Sequence, residues 1–214
     1  MADHILSMSN ISKNFAGVHA LRGVSFDLYP GEVHALLGEN GAGKSTLIKI
    51  ITGVHQPDGG EITLNGRQIQ LANPLESRRL GIAAIYQEPS LFPDLDIAEN
   101  IFVGRQPTRA GGQVAWSDMY REASKLLDSL GVHLEPKTKA RHLSVAQQQM
   151  VEIARALSVQ AKILIMDEPT SVLTPQEVEI LFQTLRKLRA EGVAVFHLMR
   201  SIGTSFFVAI SVAD

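Results

Sequence analysis

Short apolar stretches alternate with longer amphipathic stretches along most of the 214-residue chain. Val24–Leu28 alternates apolar and polar residues, which predicts a half-buried strand, and Gly31–Leu37 has the apolar pattern of a buried strand. The apolar run Lys162–Met166 ends in two acidic residues. Further short strands are predicted at 5–11, 61–64, 82–86 and 193–196. Strands that alternate with helices indicate an α/β fold with a mostly parallel central sheet.

Helical periodicity and capping residues predict the remaining elements. Thr174 can cap a helix with Pro175 at its first position and Glu177 three residues after the cap, and this helix should end at Gly192. Ser117 is the predicted N-cap of another helix, and Gly131 is predicted to follow that helix. Other helices are predicted at 46–51, 74–80, 96–103 and 144–157. Lys13–Val18 is predicted to be a turn.

Composition narrows the class of protein. Apolar residues make up 45% and charged residues 20% of the chain, which is typical of a globular domain. A formal net charge of -2 offers no bulk attraction for nucleic acid. The chain has no cysteine, which excludes disulfides and Cys-ligated zinc. The first ten residues lack the pattern of a signal peptide, and no apolar run approaches the roughly 18 residues of a membrane span. If the protein acts at a membrane, we therefore expect it to do so as a peripheral subunit.

A glycine-rich segment at residues 38–46 fits the phosphate-binding pattern G-x-x-x-x-G-K-[ST]. Its glycines allow successive backbone N–H groups to turn inward toward an anion. Lys44 can reach the β- and γ-phosphates, and Ser45 can place its hydroxyl on Mg²⁺. The alternative is a glycine-rich turn without a ligand, but a predicted strand before the segment and a helix after it favour the phosphate loop. The loop consists of Gly38, Glu39, Asn40, Gly41, Ala42, Gly43, Lys44, Ser45 and Thr46.

Two later segments hold further candidate residues. Asp167 ends a buried strand, where a carboxylate can organise the metal, and Glu168 can polarise a water for attack on the γ-phosphate. The alternative is a pair of acids that caps a helix at a strand end. Ser144 precedes a helix N-terminus, which can also hold an anion; the alternative is a plain N-cap.

The order of these motifs resembles the ATP-binding subunit of ABC transporters. The order is a phosphate loop, a glutamine at a strand end (Gln87), L-S-x-x-Q at 143–147 and a strand that ends in D-E-P-T at 167–170. The resemblance runs from about Ile5 to Val195, and residues 31–46, 147–154 and 171–174 look like the sugar-import branch of ribose, xylose and galactose type. It implies a P-loop NTPase fold with an antiparallel β subdomain and a helical subdomain at about 90–158, together spanning residues 1–196.

The resemblance also implies roles at the nucleotide. Phe15 would stack on adenine, unless it is only a core or turn aromatic. Gln87 would contact Mg²⁺ and the water, unless it is only a polar strand-end residue. Asp167 would organise the metal, and Glu168 would act on the water. The residues that would contact ATP held by the opposite subunit are Ser144, Ala146 and Gln147.

Further implications concern partners and location. Two ATPase domains would sandwich two ATP molecules, with Ser171 to Thr174 at the interface. ATP hydrolysis would then drive a membrane permease, supplied by a periplasmic sugar-binding protein, from the cytoplasmic face of the inner membrane. No nucleic acid is expected as a partner. Two alternatives stay open: an ABC-type ATPase that acts on DNA or the ribosome, although the chain lacks the heptad arms or basic patches expected of one, and a non-catalytic remnant.

The chain departs from the family pattern in three places. Ala146 stands where the common signature has glycine, and Thr174 stands where the wider family has an acid. The family expects a Ser-His near position 200; His197 lies too early, and a strand histidine with its hydrogen bonds satisfied is the favoured interpretation. Residues 197–214 are predicted to be a non-family tail created by a frameshift after about Phe196, in a truncated first ATPase domain with impaired activity. Sequencing the coding DNA tests this: the other reading frame should continue the family pattern.

Overall fold

The computed structural model describes residues 4–38, 41–86, 90–167, 173–200 and 208–212. Gln87, Glu168, Glu39, Asn40 and Ser171, which carry predicted roles, lie outside these ranges. The chain forms two compact units. The first comprises Met1–Ala84, Ala161–Glu168 and Leu188–Asp214, and the second comprises Ile85–Gln160 and Pro169–Lys187.

The strands and helices follow one another along most of the described chain. The strands are β1 (Leu6–Phe15), β2 (Val18–Leu28), β3 (Val33–Gly38), β4 (Gly59–Leu64), β5 (Arg67–Gln68), β6 (Ile82–Ile85), β7 (Ile163–Asp167), β8 (Ala194–Arg200) and β9 (Val208–Val212). The helices are α1 (Lys44–Ile51), α2 (Pro74–Arg79), α3 (Ile97–Phe102), α4 (Trp116–Ser129), α5 (Val145–Leu157) and α6 (Pro175–Ala190).

A four-stranded sheet in the first unit has the order β2-β1-β4-β5, and β1 pairs antiparallel with β2 and β4, as β4 does with β5. The predicted turn at 13–18 was too long, because β1 continues through Phe15, which pairs with Val18. The chain reverses over Ala16 (φ 42°) and Gly17 (φ 88°). Positive φ at both positions is the geometry of a two-residue hairpin turn, whose twist matches that of the strands it joins.

The second sheet has the order β6-β7-β8-β3-β9. β3 and β7 both pair in parallel with β8, and β9 pairs antiparallel with β3. β8 extends to Arg200, beyond the predicted end at Phe196, because its pairing with β7 continues to Leu198 and its pairing with β3 continues to Arg200. β9 was not predicted from the sequence. Since β3, β8 and β7 run in parallel, their carboxyl ends lie along the same edge of the sheet.

The core of the first unit lies where α1 packs on strands of both sheets. Leu47, Ile48, Ile50 and Ile51 of α1 are almost fully buried in one cluster with residues such as Phe196. Each such side chain contributes about 1.5–3 kcal/mol when it is removed from water. The helix that begins in the phosphate loop is therefore anchored along its length.

Capping residues in the second unit agree with the sequence in part. Thr174 and Glu177 cap α6 reciprocally, with Thr174 N–H donating to Glu177 Oε2 at 2.9 Å, as predicted. Gly131 follows α4 with φ 72°, also as predicted. Ser117 was wrong as an N-cap: α4 begins at Trp116, because the N–H of Met119 already bonds to the carbonyl of Ala115 at 3.0 Å. None of the described helices combines the length and apolar character needed to cross a bilayer.

Candidate functional site

The segment between β3 and α1 has the backbone of a phosphate loop in its described part. Gly41 has φ 84°, and Gly43, at the N-cap of α1, has φ 91°. Residues with a side chain rarely adopt this conformation, so glycine is needed at both positions. Gly43 has no side chain with which to cap α1, so no N-cap side chain competes with an anion for the N–H groups of the first turn.

Lys44 is the positive centre of this segment. Its side chain is 7% exposed, and its Nζ donates a short hydrogen bond to the carbonyl of Gly38, where the loop begins. The ammonium group therefore lies across the loop, close to the start of α1. A buried cation and a helix N-terminus in one place fit a bound phosphate.

Two of the side chains predicted to hold Mg²⁺ follow or end strands of the same sheet. Ser45 is exposed in the first turn of α1, and Asp167 is half-buried at the end of β7. Asp167 is in register with Leu198, and Leu198 is in register with Leu36 of β3. Asp167 is thus two strands, or roughly 10 Å, from the β3 backbone that leads into the loop. No group of three or more His, Asp or Glu side chains in the described part of the chain is arranged to hold a metal ion by itself, and Mg²⁺ needs only one or two protein oxygens when phosphates supply others.

Phe15 ends β1 beside the hairpin turn, and 38% of its surface is exposed. His55 meets its ring edge-on, with centroids 5.1 Å apart and an angle of 62° between the planes. Lys13 Nζ lies 5.5 Å from the ring centroid. Phe15 is therefore not a core aromatic, and its stacking on adenine stays a prediction.

The signature segment forms the start of α5. Ser144 N–H donates to Gln147 Oε1 at 2.9 Å, and Gln147 N–H donates to Ser144 Oγ at 3.3 Å. The structure thus realises the N-cap alternative for Ser144, strengthened to a reciprocal capping box. Ala146 lies half-buried in the first turn of this helix. Contact of these residues with ATP held by an opposite subunit stays a prediction.

His197 lies within β8, as predicted of a strand histidine, and is 3% exposed. Burial lowers the pKa of His197 to about 4. The prediction of a satisfied histidine is wrong for Nε2, which has no hydrogen-bond partner among the described residues. The imidazole is therefore neutral at pH 7 and does not serve as a positive group for a phosphate.

A buried cluster in the second unit was missed from the sequence. Glu152 of α5 is 2% exposed, and its Oε1 accepts hydrogen bonds from Ser90 N–H and Ser90 Oγ, each at 2.9 Å. Arg155 Nη2 lies 3.1 Å from the same oxygen and 2.6 Å from Ser90 Oγ. The pattern Q-Q-Q-M-V-E at 147–152 was a recognisable signal, but only the fold brings Ser90, 62 residues away, onto it. The cluster fixes α5 to the segment that follows the Gln87 region.

Comparison with known proteins gives the class of protein. A family model described as "ABC transporter" matches residues 21–171, and the chain belongs to this family. Solved structures of ATP-binding cassettes share its fold: one, in the ADP conformation, has a TM-score of 0.79 and 30% identity, covering 93% of this chain and 82% of that one. Another, a dimer in a post-hydrolysis state with ADP and Pi, has a TM-score of 0.76 and 26% identity, covering 91% and 87%. The predicted P-loop NTPase fold, with a mainly parallel sheet, an antiparallel sheet and helices, is confirmed.

The relatives also define the branch. The ribose import ATP-binding protein RbsA 2 of Streptomyces avermitilis is 52% identical over 202 residues, which are 94% of this chain and 40% of the relative. The predicted resemblance to the sugar-import branch is confirmed. The chain spans about 40% of the length of this relative.

Proposed function

We propose that this chain binds Mg-ATP at residues 38–46 and hydrolyses it as an ATPase domain of a sugar importer. The observation that carries the proposal is the buried Lys44 at the start of α1, where Gly43 supplies no capping side chain. An ammonium group and a helix N-terminus directed at one place match the charge of a triphosphate. Membership of the ABC transporter family supports the same nucleotide chemistry.

Hydrolysis adds water across the terminal phosphoanhydride and releases ADP and phosphate. Lys44 and the α1 amides would stabilise the negative charge on the phosphoryl oxygens. Mg²⁺, when bound, would neutralise phosphate charge, with Ser45 and Asp167 as the protein groups that hold it. Glu168 is proposed to polarise the water, and Gln87 to contact the water and the metal. Each role follows from the position of the residue in the family pattern.

The proposed partners follow from the relatives. One structural neighbour is dimeric with ADP and Pi, which supports a pair of ATPase domains that close around ATP through Ser144, Ala146 and Gln147. A relative named for ribose import supports a sugar permease as the membrane partner and a periplasmic sugar-binding protein as an indirect one. The proposed location is the cytoplasmic face of the inner membrane. The same relative favours this function over an ATPase that acts on DNA or the ribosome.

The test is thermal unfolding of the full chain with and without Mg-ATP, together with measurement of phosphate release. ATP at 100 times its dissociation constant should stabilise the wild type by about 2.7 kcal/mol. Lys44→Ala should abolish this shift, because the buried cation is lost. Lys49→Ala, at an exposed position in the last turn of the same helix, should keep it.

Two outcomes would count against the proposal. If the wild type shows no shift, or Lys44→Ala shifts as much as the wild type, the phosphate loop does not bind ATP. If ATP binds in a Lys44-dependent way but no phosphate is released with added Mg²⁺, the chain is a nucleotide-binding remnant and the proposed hydrolysis is wrong.

A further inference from the structure

Phe15 is held by contacts that neither the motif pattern nor the proposed roles include. Lys13 lies two residues before it on β1, with its Nζ 5.5 Å from the ring centroid. The same ammonium forms an ion pair with Asp58, at 2.7 Å between Nζ and Oδ1. The Lys13 side chain is only 15% exposed, so its position is well defined.

Asp58 ties this part of β1 to the turn that follows α1. Its Oδ2 accepts a hydrogen bond from Asn14 N–H at 2.7 Å, and its own N–H donates to the carbonyl of Ser12 at 2.8 Å. The pKa of the Asp58 carboxyl is lowered by the Lys13 hydrogen bond and by that of Asn14. The carboxylate therefore stays charged at neutral pH and fixes the two residues that precede Phe15 as well as the ammonium beside its ring.

His55 supports the ring from a second direction. Its ring meets Phe15 edge-on at 5.1 Å, an arrangement favoured for aromatic pairs. The N–H groups of Val54 and His55 donate to the carbonyl of Lys49, at 2.7 and 2.9 Å, which fixes the turn to the last part of α1. The helix whose first turn forms the phosphate loop thus positions, at its other end, the support of Phe15.

The family pattern expects Phe15 to stack on the base of the nucleotide; we infer that Lys13, Asp58 and His55 are positioning residues that hold its ring in place as a platform before the base binds. The inference rests on the proposed function, in which the phosphates bind at the start of α1. α1 is about 12 Å long, which is comparable to the separation of base and terminal phosphate in an extended nucleoside triphosphate. A ring fixed before binding loses little conformational freedom when a base stacks on it, so the support should raise affinity for the base specifically.

The test compares ATP with inorganic tripolyphosphate, which offers the phosphates without a base. Affinities of the full chain for both probes, with Mg²⁺, are measured by calorimetry for the wild type and for His55→Ala, Lys13→Met and His55→Phe. We expect His55→Ala and Lys13→Met to weaken ATP binding roughly three- to tenfold, the range that aromatic and cation–π contacts support. Tripolyphosphate affinity should stay unchanged, and His55→Phe, which keeps the edge contact, should restore ATP affinity.

Controls separate this inference from a general loss of structure. His19→Ala, at an exposed position on the same hairpin, should leave both affinities unchanged. Phe15→Leu should reproduce the selective loss of ATP affinity. The unfolding midpoint of each variant, measured without ligand, shows whether the hairpin stays folded.

The outcomes distinguish the two levels of the proposal. Equal losses for ATP and tripolyphosphate, or no loss for either, would overturn the platform and leave the phosphate loop intact. If the wild type bound ATP no more tightly than tripolyphosphate, this result would also overturn the platform and leave the phosphate loop intact. A wild type that binds neither probe in a Lys44-dependent way would overturn the proposed function and the platform together.

Discussion

At the scale of single residues, the burial of His197 links stability to pH. The side chain is 3% exposed, its Nε2 is unpaired among the described residues, and burial holds its pKa at about 4. In the unfolded chain its pKa returns to about 6.5. The unfolded state therefore binds a proton in a pH range where the native state does not, and stability rises with pH across this range.

His197→Leu should reduce this pH dependence. The contribution that neutral His197 makes to the free energy of unfolding is fully present above about pH 6.5 and is lost as the pH falls toward 4. The loss between pH 7 and pH 5 amounts to about 2 kcal/mol. Urea unfolding at both pH values measures the free energy of unfolding. The wild type should lose about 2 kcal/mol more than His197→Leu over that interval.

An exposed histidine provides the matched control for this experiment. His133→Leu removes an imidazole whose side chain is 90% exposed, and should leave the pH dependence as in the wild type. If His197→Leu and the wild type lost equal stability between pH 7 and pH 5, the neutral state of His197 in the native protein would be disproved.

Residues with special backbone angles show which local signals the sequence carries. Glycine at 41, 43 and 131 could be predicted to take positive φ, because the loop and helix-end patterns require it. Ala16, with φ 42°, could not be predicted. Nothing in the residue type favours that angle, and it is imposed by the pairing of Phe15 with Val18 across the turn.

At the scale of elements, the close approach of β4 to β1 depends on Gly60. A Cβ at Gly60 would lie 2.5 Å from the carbonyl oxygen of Ser9 and 2.6 Å from the carbonyl carbon of Asn10. Both atoms belong to the backbone of β1, which cannot move without breaking its pairing with β4. Gly60 also has φ 96°, so an alanine there meets both strain and a clash.

Gly60→Ala should therefore destabilise the protein more than Gly66→Ala. Gly66 has a similar φ of 73°, but a Cβ there would meet no atom within 4 Å. We expect Gly66→Ala to cost about 1–2 kcal/mol for its backbone angle alone. Gly60→Ala should cost roughly 2 kcal/mol more, because overpacking adds to the strain. Chemical denaturation of both variants measures the difference, and equal losses would contradict the close approach of the two strands.

Capping illustrates how far element boundaries follow from the sequence. The reciprocal cap formed by Thr174 and Glu177 could be predicted, because both partners lie within one turn of the helix that they cap. The start of α4 at Trp116 could not be predicted, since no capping side chain marks it. Backbone hydrogen bonds of the preceding loop determine where this helix begins. The observed strand ends differ from the predicted ones for a related reason, because the residues that pair with them lie elsewhere in the chain.

At the scale of the whole chain, membership of the ABC transporter family agrees with the motif order found in the sequence. The described parts of the segment from 197 to 214 belong to the second sheet. Residues 197–200 extend β8 beyond its predicted end at Phe196, and 208–212 form β9 beside β3, a strand that was not predicted. The origin of this segment in a frameshift stays a prediction.

The sequence by itself determined the class of fold, the phosphate loop, most helices and the branch of the family. These features rest on glycines, caps and periodicities within a few neighbouring residues, so they are visible in one dimension. Only the tertiary structure decided the order of strands, the position of Asp167 two strands from β3, the Glu152–Ser90 contact and the support of Phe15 by Asp58, 43 residues away. Such contacts join residues that are distant along the chain, and each depends on geometry that forms when the hydrophobic core brings the elements together.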